Sequence, residues 1–390
     1  MIDADSEPLL RLIAAGGSAA TRRALLELHG SPESALAAGA KAWHDAGLDE
    51  AQVRALAASA NVALRPSLDW LRAPGHQLLG WHDPDYPPLL RRIASPPLAL
   101  FVAGDPALLW HPSVAVVGSR SPSAGGRDNA FDFARAIAAS GLAVTSGLAA
   151  GIDTAAHEGA LAASGFTVAV LGTGIDVPYP RANIELHARI GAAGAVVSEH
   201  PPGTGPLREH FPSRNRIIAG LALGTLVIEA AERSGALITA RLATDAGRDV
   251  FAVPGSIHNA KARGCHRLIR DGAALVESAQ EVIATLGPMA GELGAALRQR
   301  LGTPIAETGQ AGNGPAAATA QDNPDYNRLW DALGHDPTGM DRLVERTGLT
   351  AAELSSMLLV MELEGRVAAE HGRYSRKSIH TALAGAGRGK

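Results

Sequence analysis

Several loops of this chain carry residue types suited to holding an anion. The run Val116-Val117-Gly118-Ser119-Arg120-Ser121-Pro122-Ser123 ends an apolar stretch just before a helical one. A glycine there lets backbone approach a ligand. A serine, free amides and a guanidinium fork then donate hydrogen bonds, so by residue type it is a phosphate cradle. The alternative is a plain strand–helix turn. It is no Walker A loop, because Gly-Lys-Ser/Thr occurs nowhere, and it lacks the Gly-x-Gly-x-x-Gly of a dinucleotide site. Gly172-Thr173-Gly174 leads to Arg181, which sits near a helix start and is either a phosphate contact or a solvated cation. The run Arg208-Glu209-His210-Phe211-Pro212-Ser213-Arg214-Asn215-Arg216 sets an aromatic ring among arginines. Nucleic-acid bases stack on such rings while arginines neutralise phosphates. Phe211 serves that purpose or plugs the core beneath a long loop.

Asp153 and His157 lie one helical turn apart, the spacing of a metal or acid–base pair. No third ligand lies at useful spacing, which favours a capping aspartate and a packed histidine. The single cysteine, Cys265, forms no internal disulfide and no thiolate zinc site. From 201 to 275 the chain has ten Arg plus Lys against six Asp plus Glu, a local excess of +4 in a chain of net −4. That asymmetry points to a polyanionic partner at one edge.

The elements that must position these loops are legible. Apolar runs at Val114–Val117, Leu142–Thr145, Thr167–Leu171, Ala195–Ser198, Thr225–Glu229 and Val250–Val253 alternate with helical segments such as Asn129–Ala139 and Asp153–Ala163. Buried runs separated by helices predict a parallel sheet covered on both faces, a Rossmann-like doubly wound domain. In that architecture ligands bind beyond the carboxyl ends of the strands, where these loops fall.

The 390 residues suffice for two or three domains. Residues 1–75 read as a helical module of helix-hairpin-helix or SAM-like type, broken at Gly16-Gly17 and Gly30-Ser31-Pro32. Arg22 and Arg23 follow the first break, where such a hairpin meets a phosphate, although a ligand-free packing module is the simpler reading. Residues 76–287 hold the Rossmann-like domain with its lead-in segment, and 288–320, rich in Gly, Ala, Pro and Thr, read as a flexible linker. Residues 321–385 form a winged helix, with helices at Tyr326–Leu333, Met340–Arg346 and Ala351–Leu363 and a two-stranded wing over Val367–Tyr374. Thr350 and Glu353 fit a capping box, and Gly365 a helix stop. Its balance of nine basic to ten acidic residues over 321–390 favours protein contact or regulation over duplex reading. No stretch approaches the ~20 apolar residues of a membrane span, and the start is acidic rather than signal-like. The expectation is a cytoplasmic protein.

Together these motifs resemble the DprA/Smf family. The matching stretches are Val116–Arg120, Ser146–Asp153 with His157, Leu171–Gly174, Phe211–Gly220, Glu229-Ala230 with Ser234–Ala240, and Pro254-Gly255. The resemblance implies a single-stranded DNA binder that loads a RecA-type recombinase during natural transformation (competence) and homologous recombination. It implies no catalytic activity, cofactor or metal. Gly118, Ser119, Arg120, Arg181, Arg208 and Phe211 are the implied DNA contacts, joined by Ser146, Gly147, Arg214 and Asn215. It implies a homodimer through Gly264–Leu275, with His266, Ile269 and Leu275 in a self-complementary patch; the alternative makes Leu268, Ile269 and Leu275 core. The rival reading is an enzyme resembling the nucleotide phosphoribohydrolases. Those carry a Pro-Gly-Gly-x-Gly-Thr loop that this chain lacks, which leaves Glu229 as a general acid/base without an obvious partner.

Overall fold

Capping residues and glycine stops fold the N-terminal segment into short helices: α1 (Ser6–Ala14), α2 (Ala19–His29), α3 (Pro32–Ala37), α4 (Gly39–Asp45), α5 (Glu50–Ala57) and α6 (Arg65–Leu71). Ser18 caps α2, and Gly30 ends it at φ +78°, a conformation that side chains disfavour. Asp49 and Gln52 close a capping box on α5. In this computed structural model, residues 5–58 and 64–300 are described continuously. Beyond them it describes 328–330, 332, 333, 338–349, 354, 357, 358, 361, 367–370 and 373–376. The chain divides into two compact units, Met1–Ile305 and Ala306–Lys390.

Within the first unit, Leu9, Leu12, Leu25, Leu26, Trp43 and Leu56 bury one face of the helices against Leu98 and Ala99, at the start of the strand next to the sheet's edge. Arg22 does not reach outward as the hairpin expectation had it. It is 7% exposed and donates to the carbonyls of Leu12, Ile13, Gly17 and Ser18, clasping the α1–α2 turn from within. Arg23 donates to Pro96 O.

The strands follow as β1 (His76–Gly80), β2 (Ala99–Gly104), β3 (Ser113–Gly118), β4 (Ala143–Ser146), β5 (Thr167–Val170), β6 (Ala195–Ser198), β7 (Gly224–Ile228), β8 (Asp249–Ala252) and β9 (Ala274–Leu275). Among them run α7 (Pro88–Arg91), α8 (Ala124–Ala139), α9 (Ile152–Ala162), α10 (Ile184–Ala193), α11 (His210–Leu221), α12 (Gly235–Asp245) and α13 (Arg263–Arg270), and α14 (Ala279–Arg300) follows. The sheet order is β1-β2-β6-β5-β4-β3-β7-β8-β9. From β3 the chain winds outward through β4, β5 and β6, then returns to β3's other side for β7, β8 and β9. All these neighbours are parallel. The doubly wound reading therefore holds, and the switch point lies between β3 and β7. Side chains of β3 alternate between two cores, Val114 and Val116 on one face, Ala115 and Val117 on the other.

The antiparallel pair β1–β2, added beyond β6, was not anticipated from the sequence. The expected linker from 288 also needs correction. Residues 288–300 continue α14 through Pro288, because Ala290 and Leu293 still pack on the sheet's core. Residues 301–320 lie outside the described residues.

In the second unit, residues of three helical stretches surround a core of Leu329, Leu333, Leu343, Leu354, Met357, Leu358, Met361 and Val367. A small antiparallel sheet, β10 (Thr338–Gly339), β12 (Arg373–Arg376) and β11 (Val367–Glu370), covers it in that order. This is the expected winged helix. Thr350, Glu353, Gly365 and residues 371 and 372 within the expected wing lie outside the described residues.

Candidate nucleic-acid interface

At the switch point the carboxyl ends of β3 and β7 part around a crevice of about 430 Å³. Gly118 makes the approach possible: a Cβ there would lie 1.9 Å from Ile228 O. Gly151, at φ +87°, packs so closely that a Cβ would lie 2.4 Å from Ser119 O. The loop is thus held by β7 on one side and the start of α9 on the other, and Ile152 N donates to Ser119 O at 3.1 Å. Ser119 Oγ accepts from Ser121 N at 3.2 Å, so this hydroxyl shapes its own turn.

Arg120 is exposed, and its side chain makes no hydrogen bond or ion pair among the described residues. Its guanidinium carbon stands 5.8 Å from the centroid of the Phe211 ring, which is itself 5.3 Å from the Tyr179 ring. Arg120, Tyr179, Pro180, Phe211 and Arg214 line a second, smaller cavity of about 170 Å³. Phe211 is therefore no core plug; it is half-buried, with Arg120 over its ring and the Tyr179 ring tilted beside it. A slot with aromatic walls and an unpaired cation at its mouth has the chemistry to hold a flat base and its phosphate. Tyr179, 46% exposed, was missed in the sequence. Its signal was an aromatic in a loop beyond a strand end.

Just past the Gly118-Ser119-Arg120 loop, the start of α8 already holds an anion that the protein itself supplies. Ser123, the N-cap of α8, donates its amide to Glu229 Oε2 at 2.7 Å and its hydroxyl to Oε1 at 2.5 Å. Asn259 Nδ2 donates to Oε1 at 2.9 Å. Gly126 is required beside it, since a Cβ would meet the Glu229 carboxyl carbon at 2.5 Å. Burial pushes the Glu229 pKa up. The hydrogen bonds from Ser123 and Asn259, with Lys261 nearby, outweigh it and hold the group below the ordinary carboxylate range. A carboxylate this firmly ionised and occupied has no proton to donate and little freedom as a base.

Ser146, Gly147, Arg214 and Asn215 are tied into the fold, and of these Gly147, Arg214 and Asn215 also line the cavities. Ser146 is fully buried and donates to Val116 O at 2.6 Å. Arg214 is 4% exposed. Its Nη1 donates to Gly147 O at 2.5 Å and to Val170 O, and its Nε to Asn215 Oδ1 at 3.2 Å. Gly147 has no room for a Cβ, which would lie 2.2 Å from Arg214 Nη1. Arg214 is thus a pin that ties the ends of β4 and β5 to α11. Burial pulls its pKa down to about 10, so it remains cationic at neutral pH. It forms a wall of both cavities and lends them charge rather than a freely moving fork.

Asp153 lies in the first turn of α9 and accepts from Gly147 N at 3.1 Å and Ala149 N at 3.3 Å. Burial raises its pKa; Arg214 and those amides oppose the shift. His157 is fully buried. Thr167 Oγ1 donates to Val144 O, so His157 Nδ1–H is the donor in the 2.7 Å contact between His157 and Thr167. Neither forms a metal pair, and no His, Cys, Asp and Glu group among the described residues could hold an ion.

Arg181 and Arg208 are exposed on flanking loops and line neither cavity. Arg233, exposed on the β7–α12 loop, lines the larger one and was not singled out in the sequence. Arg120, Arg181, Arg208 and Arg233 join no ion pair among the described residues. Further along, His266 Nε2 contacts Gly255 O at 2.9 Å. Ile269 packs partly on the core, and Leu275 is 47% exposed on the terminal edge strand.

A doubly wound sheet whose switch-point crevice is lined by Arg120, Arg214 and Arg233 and shares two of these with a smaller aromatic-lined slot, in a chain that also carries a winged helix, defines a Rossmann-like protein with an appended winged-helix domain. Residues 77–287 match the family of the DNA recombination-mediator protein A, and residues 313–373 match the winged-helix domain of that family. This chain belongs to the DprA/Smf family. It is 38% identical over 326 residues to Protein Smf of Escherichia coli K12, covering 80% of this chain and 81% of the relative. It is 49% identical over 218 residues to the DNA processing protein DprA of Streptococcus pneumoniae, covering 56% and 76%. The X-ray structure of Streptococcus pneumoniae DprA superposes with a TM-score of 0.65 at 39% identity, over 73% of this chain and 98% of that one. A Helicobacter pylori DprA structure, described for its single-stranded DNA binding mode, gives 0.50 at 28% identity over 54% and 95%. Among the described residues no helix is long and apolar enough to cross a membrane.

Proposed function

We propose that this chain is a cytoplasmic DNA-processing protein that binds single-stranded DNA at the switch-point crevice and passes it to a RecA-type recombinase in transformation. The observation that carries the reading is the unpaired Arg120 guanidinium 5.8 Å from the centroid of the half-buried Phe211 ring, which has the Tyr179 ring 5.3 Å away. A strand would lay a base against the rings and its phosphate against Arg120, while Arg181, Arg208 and Arg233 draw the backbone in over a longer range. Gly118 and Ser119 shape the loop that presents Arg120, and Gly147, Arg214 and Asn215 brace the slot from beneath. The single-stranded DNA mode described for the Helicobacter pylori relative supports this reading. The role is one of binding: the saturated Glu229 carboxylate speaks against the phosphoribohydrolase-like alternative. The protein acts as a homodimer through Leu275 and neighbouring His266 and Ile269. The N-terminal helices and the winged helix serve as accessory modules.

Gel shifts of the full chain with single- and double-stranded DNA of equal length, at two salt concentrations, test this. Preference for the single strand, weakened by salt, is expected; equal or duplex-preferring binding overturns the reading, and so does base release from nucleoside monophosphates.

A further inference from the structure

Phe211 lies in the first turn of α11, where a helix has the fewest hydrogen bonds of its own. Glu209, the N-cap, makes no side-chain cap, and Ser213 N reaches Glu209 O only at 3.4 Å. Support comes from the residue before Phe211. The His210 ring stacks on the ring of His200, with centroids 3.8 Å apart and planes 15° from parallel. Neither side chain makes a hydrogen bond or ion pair among the described residues, and His200 Nε2 and His210 Nδ1 are sealed from solvent without a partner. The two residues are therefore joined by ring faces and not by polar contacts. His200 is itself anchored to the sheet. Its amide donates to Ser198 Oγ at 3.0 Å, and that fully buried hydroxyl donates to Thr173 O at 2.6 Å. Gly172 runs beneath the next two residues: a Cβ there would lie 3.1 Å from Phe211 Cδ1 and 3.4 Å from His210 O. The pair holds as two neutral rings. A proton on either sealed nitrogen would be an N–H without an acceptor, and its charge would face a second imidazole with the Arg216 guanidinium nearby. Glu199, the carboxylate beside His200, is already paired with Arg216 at 2.5 Å. Burial, opposed by Glu199 and aided by His210 and Arg216, pulls the His200 pKa down to about 4, so its ring is neutral at neutral pH.

We propose that His200 is a positioning residue for the base slot, acting through the His210 ring on Phe211. What the slot receives rests on the single-stranded DNA reading above; what holds Phe211 in place does not. The anchor at the end of β6 fixes His200, the stack passes that position to His210, and Phe211 follows in the chain. An aromatic pair is strong enough to bias such a local equilibrium by about 2- to 12-fold. Without it, Phe211 would spend part of its time away from Tyr179 and Arg120, and the apparent affinity for a strand would fall with the fraction of molecules whose slot is formed.

The test uses the full chain in two arms. In the first, hydrogen exchange without DNA is followed over residues 207–216. His200→Ala should speed exchange there by about 2- to 12-fold, while His200→Phe, which keeps a flat ring face, should exchange like the parent. In the second arm, anisotropy with a labelled oligothymidylate should show His200→Ala weakening binding by up to the same factor. The log–log salt slope should stay unchanged, because no phosphate contact is lost. His200→Phe should again match the parent. His200→Ala/Phe211→Ala should bind no more weakly than Phe211→Ala alone, since the histidine reaches the strand only through that ring. Should His200→Ala not fold, His200→Leu, with bulk but no ring face, takes its place. Unchanged exchange in the alanine variant, a shallower salt slope, a phenylalanine variant as impaired as the alanine one, or additive losses in the double variant each overturn the proposal. A parent that binds no single-stranded DNA refutes the reading of the slot, and the exchange arm then decides the role of His200 by itself.

Discussion

Replacing Arg120 by alanine isolates the contact on which the proposed function rests. Arg120 is exposed, and its guanidinium stands 5.8 Å from the Phe211 ring centroid with no hydrogen bond or ion pair among the described residues. Removing it should therefore cost the fold at most the ~0.5–1 kcal/mol of an exposed cation–π contact. DNA binding should suffer more. A charge-assisted hydrogen bond contributes about 1.5–3 kcal/mol, so the dissociation constant should rise about 10- to 150-fold. Losing one phosphate contact should also make the log–log salt slope shallower by ~0.7. Fluorescence anisotropy with a labelled oligothymidylate across a salt series reads both quantities, and urea unfolding reads the first. If affinity falls by the same factor at every salt concentration, Arg120 orients Phe211 rather than meeting a phosphate. If neither quantity moves, the crevice is not the DNA site. A double-mutant cycle with Phe211→Ala should give a coupling energy of about 0.5–1 kcal/mol, because ring and guanidinium serve one nucleotide.

Phe211→Ala alone should weaken binding by ~1–3 kcal/mol with the salt slope unchanged, and Tyr179→Ala should do the same to a lesser degree, both by anisotropy. Arg214→Ala should act on stability instead, lowering it by about 3–5 kcal/mol in urea unfolding, since Gly147 O, Val170 O and Asn215 Oδ1 all lose their donor. Leu275→Arg on the exposed edge strand should give a folded monomer by light scattering, with weaker DNA binding through lost avidity. Acid should destabilise the protein through His157, whose pKa burial pulls down to about 3 from 6.5. Below pH ~6.5 the unfolded chain takes up a proton that the folded one refuses, so stability falls by about 1.4 kcal/mol per pH unit towards pH ~3. His157→Gln should flatten that part of the profile.

The sheet could be read from the sequence because its strands are buried on both faces and so carry unbroken apolar runs, each closed by a loop rich in glycine, proline or serine. The same signal stood at Leu98–Val102, but β2 joins the sheet antiparallel after a chain reversal, and the alternation of strand and helix gives no warning of that. Pro288 looked like the end of structure; the contacts of Ala290 and Leu293 with the core carry the helix past it. Among site residues, position on a loop was legible and partner was not. Arg120 and Arg214 are the same residue type, each directly preceded by a serine in a run that reads as a ligand loop. Only tertiary pairing makes one an exposed, unpaired cation and the other a buried pin. Ser146 has the composition of a ligand loop, yet its hydroxyl belongs to Val116 O across the sheet.

Glu229 explains what kind of anion site remains. In an ordinary doubly wound nucleotide binder, the first helix offers its N-terminal amides to a phosphate. Here the helix after β3 gives its capping amide to a carboxylate from β7, 106 residues away in sequence. Glu229 adopts φ +48° to reach it, and Gly126 leaves the space it needs. A phosphate arriving at that helix would meet a fixed negative charge instead of free amides. On the function proposed above, the anion is held beyond it, by side chains on the rim: Arg120 and Arg233, with Arg214 buried behind them. Side chains on long stems grip a phosphate less rigidly than a nest of amides, and they impose no fixed geometry on what is attached to it. That trade suits a repeating backbone, in which any phosphate of the strand is as good as the next, and it fits poorly with a mononucleotide that must be held in one pose for chemistry. Converting Glu229 to Gln would remove the charge while keeping most of the hydrogen bonds. If the carboxylate does exclude phosphate from the helix, that variant should bind mononucleotides measurably better than the parent by calorimetry, with single-stranded DNA affinity changed far less. Unchanged mononucleotide binding would mean that the shape of the β3–α8 turn, and not the charge of Glu229, keeps phosphate away.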